Sequence, residues 1–354
     1  MNWGIYSIVA FVLLTSSLSN AMSPLNAIVK QVKSNNKKSI KSIKYVEPAL
    51  FACIYDESMT GFDVVKSNDK AEMLELSEKL SRGKDLSLFF LGTGNTISAN
   101  DERFTSAKEW FMKSGTNVCY IAYAFGDQRA TLYNLYFYLK KIVKTNRVEY
   151  VAKEAFDFIS NIQQKCIDTQ MDGCLKNMSQ IVMVGYSLGA HIAGYTCRYL
   201  SEKTGEKVKK VIGLDPAGIS HLFPPENYLR KGDAQYVQII HSSLMGTTLK
   251  LGDADIFIKS DKWHPYKNHK LAVKANNLAS GKRAILIASK KGNGRVIDIQ
   301  EGKSIDFDLK SDECLLGVYN DGDNKEETVR DDENQEKNVF KISLMNRLVK
   351  SLSF

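Results

Sequence analysis

The sequence predicts an α/β domain whose mostly parallel central sheet is covered by helices on both faces. Two observations carry this. Short apolar runs alternate with helical periodicities along most of the chain, and the runs are apolar throughout, as strands buried on both faces must be. One of those runs, Ile181–Tyr186, passes through a tight Gly-x-Ser-x-Gly turn into a helix rich in small residues. The 354 residues suffice for one large core, and the apolar and charged fractions are those of an ordinary globular chain.

Met1–Ala21 reads as a secretory signal: Gly4–Leu18 supplies the apolar stretch, and Ser19, Asn20 and Ala21 precede a cut. No later segment is apolar enough to span a bilayer. Residues 22–44 form a basic arm containing Lys30, Lys33, Lys37, Lys38, Lys41 and Lys44. That arm, with a net charge of +8, suits a solvated tail or peripheral contact with an anionic lipid surface. No nucleic-acid-binding motif is present, so nucleic acid is not expected as a partner.

Residues 45–354 are read as one domain. Strands are expected at 49–55, 86–91, 118–123, 181–186, 208–214, 234–241, 254–258 and 284–288. Helices are expected at 71–80, 102–113, 129–144, 149–164, after Ser187, and at 272–279. A long loop with Pro224 and Pro225 follows the strand at 208–214, and the charge-dense stretch 320–338 is expected as a surface loop. Six cysteines remain after the expected cut, in a compartment that permits disulfides. Cys166 and Cys174 flank a short polar loop and are the best pair, whereas Cys119 and Cys197 fit buried free thiols. No Cys or His spacing suggests zinc, and no metal or cofactor is expected.

Gly185-Tyr186-Ser187-Leu188-Gly189 carries the chemistry. A serine hydroxyl is a poor nucleophile unless it is exposed, aimed and beside a base. A sharp strand-to-helix turn lifts Ser187 above the sheet edge. The base needs an acid to orient it, and Asp215 stands at the end of the next strand in Gly213-Leu214-Asp215-Pro216-Ala217. Of the five histidines, His191 sits on the helix after the serine, His221 follows the acid too closely, and His241 has a structural setting beside Ser242 and Ser243. His264 and His269 both lie downstream, and His269, at the mouth of a helix, is favoured as the base. The oxyanion donors are expected from Leu188 N–H and, in the Thr93-Gly94-Asn95 turn, Asn95 N–H.

These words in this order resemble the pancreatic lipase family, including its insect lipases and phospholipases A1. The matching stretches are Gly185–Gly194, Gly213–Ala217, Asp233–Ser242, Leu251–Phe257 and Asn268-His269. The resemblance implies a single-domain α/β-hydrolase fold, secretion, and ester hydrolysis on phospholipid or acylglycerol substrates by Ser187, Asp215 and His269. It also supports His269 over His264. Four departures stand out. Thr93-Gly94-Asn95 replaces the family's His-Gly-aromatic, and Ala122-Tyr123 replaces its Asp-Trp. Only Lys259–Asn268 remain where the family has a disulfide-bounded lid, which favours phospholipase A1 over triacylglycerol lipase. No room is left for a C-terminal β-sandwich. The rival expectation is a catalytically weak or inactive lipid-binding, storage or effector protein on the same fold.

Overall fold

The computed structural model describes residues 47–125, 135–218, 224–260, 264–299, 307–318 and 339–343. The expected signal peptide and basic arm, His221 and the expected surface loop at 320–338 lie outside the described residues.

The first half of the fold comprises β1 (Leu50–Ile54), β2 (Asp63–Lys66), α1 (Lys70–Leu80), β3 (Leu86–Phe90), α2 (Phe104–Ser114), β4 (Asn117–Ala122), α3 (Leu135–Lys144) and α4 (Arg147–Thr169). Then come β5 (Ile181–Tyr186), α5 (Leu188–Thr204), β6 (Lys210–Leu214), β7 (Tyr236–His241) and β8 (Ala254–Lys259). The last described elements are α6 (Pro265–His269), α7 (Leu271–Ser280), β9 (Ala284–Ser289), β10 (Arg295–Asp298), β11 (Glu313–Leu315) and β12 (Val339–Ser343).

The described strands form one sheet in the order β10-β9-β12-β8-β7-β6-β5-β3-β4-β1-β2, with β11 on β9. From β4 to β12 every neighbouring pair is parallel, and the antiparallel pairs lie toward the two edges. This is the expected mostly parallel sheet. β3, β4, β5 and β6 are almost wholly buried because helices cover both faces. One core packs α1, α3, α4 and α5 against alternate strand residues such as Leu88 and Met183. The other packs α2 and α7 against the intervening ones, Phe89 and Val184. The side-chain period of a strand divides them in this way.

The chain leaves β3 toward β4 on one side and returns through α4 to β5 on the other. β3 and β5 are therefore neighbours whose exits diverge, a topological switch point where open α/β sheets form ligand crevices. Register puts Phe90 beside Gly185, so the turn after β3 lies next to Ser187.

The strands missing from the sequence reading are β2, β10, β11 and β12. They are three to five residues long, and β2, β10 and β12 are only partly buried, so they lack the long apolar run that marks the central strands. One cysteine expectation is corrected. Cys119 is disulfide-bonded to Cys53, because the two face each other on adjacent antiparallel strands with Cα atoms 4.1 Å apart. Cys166 and Cys174 are bonded as expected, and Cys197 is buried. Among the described residues no helix is long and apolar enough to cross a membrane.

Candidate active site

Ser187 stands between β5 and α5 with φ 56° and ψ −121°, a strained backbone for a non-glycine residue. Its N–H donates to Leu214 O at 3.0 Å, which ties the turn to the end of β6. The two glycines of the motif answer to close approach. A Cβ on Gly185 would lie 2.3 Å from Gly189 O, and one on Gly189 would lie 2.4 Å from Leu91 O. The helix can thus begin directly over β3 and β5, and Ser187 remains half-buried and reachable. Its first N–H groups, Leu188 among them, have no acceptor within the helix and face the crevice end of the sheet.

Asp215 leaves β6 with φ 44° and is wholly buried. Its carboxylate is filled by donors: Oδ1 accepts from Ser242 N at 2.7 Å and Ser243 N at 3.2 Å. Oδ2 accepts from the Ser243 hydroxyl and from His269 Nδ1, the latter at 2.6 Å. Four donors match the roughly four lone-pair sites of a carboxylate, so the Asp215 side chain is held in a fixed orientation. With Nδ1 committed to Asp215, the other ring nitrogen of His269 is the one left for a substrate-side proton. The His269 ring also packs on Tyr186, the residue before Ser187, with centroids 4.8 Å apart. The three sequence-predicted residues therefore come from three separate segments to the same end of the sheet.

The other described histidines have different work. His191 is a buried residue of α5, with Nε2 2.9 Å from Ala217 O and Nδ1 accepting from Leu229 N. Burial depresses its pKa to about 4. His241 stacks on Phe257 and lies 2.8 Å from both Thr247 O and Asp255 Oδ1. His264 caps α6 by accepting from Lys267 N. Among the described residues no cluster of three or more His, Cys, Asp or Glu side chains could hold a metal ion.

The turn after β3 holds the expected second oxyanion donor, Asn95 N–H. Asn95 N–H closes a tight turn onto Gly92 O at 3.2 Å, so that donor is spent within the chain. Gly94 N–H meets the Tyr138 hydroxyl. Thr93 N–H has no acceptor among the described residues. It follows Gly92, whose backbone packs against the Tyr186 ring beside Ser187.

β8 ends at Lys259 and α6 begins at Pro265, so the segment before His269 is as short as the sequence suggested. Behind the Asp215–His269 pair, a cleft of about 230 Å³ is lined by His241, Ser242, Ser243, Leu244, Phe257 and Asn268, among others.

Residues 142–289 match the family model described as Lipase. Phospholipase A1 2 of Polistes dominula is 40% identical over 90 residues, covering 25% of this chain and 28% of that protein. Phospholipase A1 1 of Dolichovespula maculata is 31% identical over 182 residues, 50% of this chain and 54% of that one. Lipase member H of Rattus norvegicus is 37% identical over 117 residues, 32% of this chain and 22% of its own length. The matched stretch thus spans about half the length of these relatives or less. Among solved structures, the α/β-hydrolase MGS-M1 from a deep-sea metagenome library aligns at TM-score 0.29 and 12% identity, over 67% of this chain and 79% of that one. The Lipase match takes in Ser187, Asp215 and His269 together, and over that stretch the chain is similar to phospholipases A1 and to lipase member H.

Proposed function

We propose that this protein is a secreted carboxylic ester hydrolase acting on lipids, of the phospholipase A1 type. The observation that carries the reading is the His269 Nδ1–Asp215 Oδ2 contact of 2.6 Å, made beside a serine held on a strained turn. His269 takes the proton of the Ser187 hydroxyl, and Asp215 fixes the ring tautomer and stabilises the imidazolium. Ser187 attacks the ester carbonyl, and the N–H groups of Leu188 and Thr93 receive the oxyanion. His269 then protonates the leaving alcohol, and water releases the acyl group by the same route. The relatives named phospholipase A1, and the short segment between β8 and α6, favour phospholipid over triacylglycerol as substrate. Two disulfides suit a secreted protein, and the lysine-rich arm suits peripheral contact with a lipid surface.

The test assays the purified mature protein on phospholipid labelled in the sn-1 acyl chain and on triacylglycerol, beside Ser187→Ala. Acyl release from phospholipid that disappears in the variant supports the reading. Equal release by both proteins, or a folded protein that no fluorophosphonate labels, overturns it and leaves a non-catalytic lipid-binding protein.

A further inference from the structure

Asp215 and His269 do not form a closed pair. The Ser243 hydroxyl donates to Asp215 Oδ2, the same oxygen that faces His269 Nδ1, and its own oxygen lies 3.5 Å from that nitrogen. Its backbone N–H donates to the other carboxylate oxygen at 3.2 Å. The hydroxyl is aimed by a further contact, because it accepts from Met245 N at 3.1 Å and so is left to give its proton to the acid. The surrounding turn is anchored onto the Asp215 strand exit: Gly218 N donates to Met245 O at 3.2 Å, and Thr247 N to Pro216 O at 2.7 Å.

We propose that Ser243 is a positioning residue that sets the basicity of His269 through Asp215; this rests on the ester-hydrolase reading above. By donating to Oδ2, the hydroxyl draws charge away from the oxygen that His269 faces. The imidazolium is then held firmly enough to form during attack and loosely enough to give up its proton to the leaving alcohol. Removing the hydroxyl leaves more charge on Oδ2, binds the imidazolium more tightly, and frees the carboxylate to rotate.

The experiment compares wild type, Ser243→Ala and Ser243→Thr on a soluble p-nitrophenyl ester from pH 5 to 9. It also records the downfield Nδ1–H resonance of His269 by NMR without substrate. Ser243→Ala is expected to lower kcat about tenfold, as loss of one hydrogen bond to a charged group does, with KM unchanged. The acidic limb of its profile moves to higher pH, and the resonance shifts. Ser243→Thr, which keeps a hydroxyl, restores the limb and the resonance. An active wild type whose acidic limb and resonance stay in place in Ser243→Ala overturns the inference and spares the ester-hydrolase reading. A wild type without esterase activity sinks that reading, and the resonance then decides whether Ser243 tunes the pair. If Ser243→Ala does not fold, a shift of limb and resonance in Ser243→Cys, which keeps the volume with a weaker donor, supports the inference, and no shift overturns it.

Discussion

His269 Nδ1 lies 2.6 Å from Asp215 Oδ2, although 54 residues separate them in the chain. Asp215 ends β6, and His269 ends α6, after β7 and β8 have been added to the sheet. The carboxylate is wholly buried, so its charge rests on the donors that surround it. Asp215→Asn preserves the shape but offers an amide where His269 needs an acceptor. Activity is expected to drop by about 10⁴, as when the tautomer-fixing acid of a serine hydrolase is neutralised. Steady-state kinetics on a soluble ester, with circular dichroism to verify folding, measures this.

Gly189 gives a stability prediction at the same turn. Its missing Cβ would stand 2.4 Å from both Leu91 O and Phe90 O, which are backbone atoms and cannot swing aside. Gly189→Ala should therefore destabilise by about 3 kcal/mol or more, at the upper end of overpacking penalties. Ala190→Gly, one residue on, meets no such wall and should cost about 1 kcal/mol as a helix-interior glycine. Urea midpoints of the two variants against wild type test the ordering.

His191 sets part of the acid sensitivity. Its folded pKa of about 4 lies below the ordinary 6.5, because burial opposes the charged ring. Between those values the unfolded chain binds the extra proton, so stability is complete above pH 6.5 and falls as pH drops toward 4. The full loss is of the order of 3 kcal/mol. His191→Gln removes this titration. The difference between urea midpoints at pH 7 and pH 5 should shrink in the variant, and an unchanged difference would place the acid sensitivity elsewhere.

The two disulfides differ in the length of chain they close. Cys53–Cys119 spans 66 residues and Cys166–Cys174 spans 8. Chain entropy assigns about 4 kcal/mol to the first and about 2.5 kcal/mol to the second. Cys53→Ser/Cys119→Ser should therefore lower Tm more than Cys166→Ser/Cys174→Ser, by calorimetry at neutral pH. The reverse order would show that the short loop is the more strongly constrained.

Local pattern was enough for the central elements. β3, β4, β5 and β6 announce themselves as apolar runs because both of their faces are covered, and the turn at Ser187 carries glycines at the two positions where backbones nearly touch. Asp215 was legible because it stands directly after a recognisable strand. His269 needed the further aid of family words, since a histidine in a polar loop has no periodic signature. What the sequence could not supply was anything settled by contact between distant segments. β12 pairs in parallel with β8 although the two strands are far apart in the chain. Cys119 meets Cys53 only because β1 is antiparallel to β4. Asn95 N–H folds back onto Gly92, a matter of turn geometry that residue types leave open. Ser243, legible in the sequence only as a neighbour of His241, reaches the acid only once β7 lies beside β6. The sequence determined which residues could do chemistry and which strands would be buried, because side-chain type and period are local. Tertiary structure decided which donors remain unspent and which hydroxyl faces the acid, because a hydrogen bond is assigned by the position of both partners.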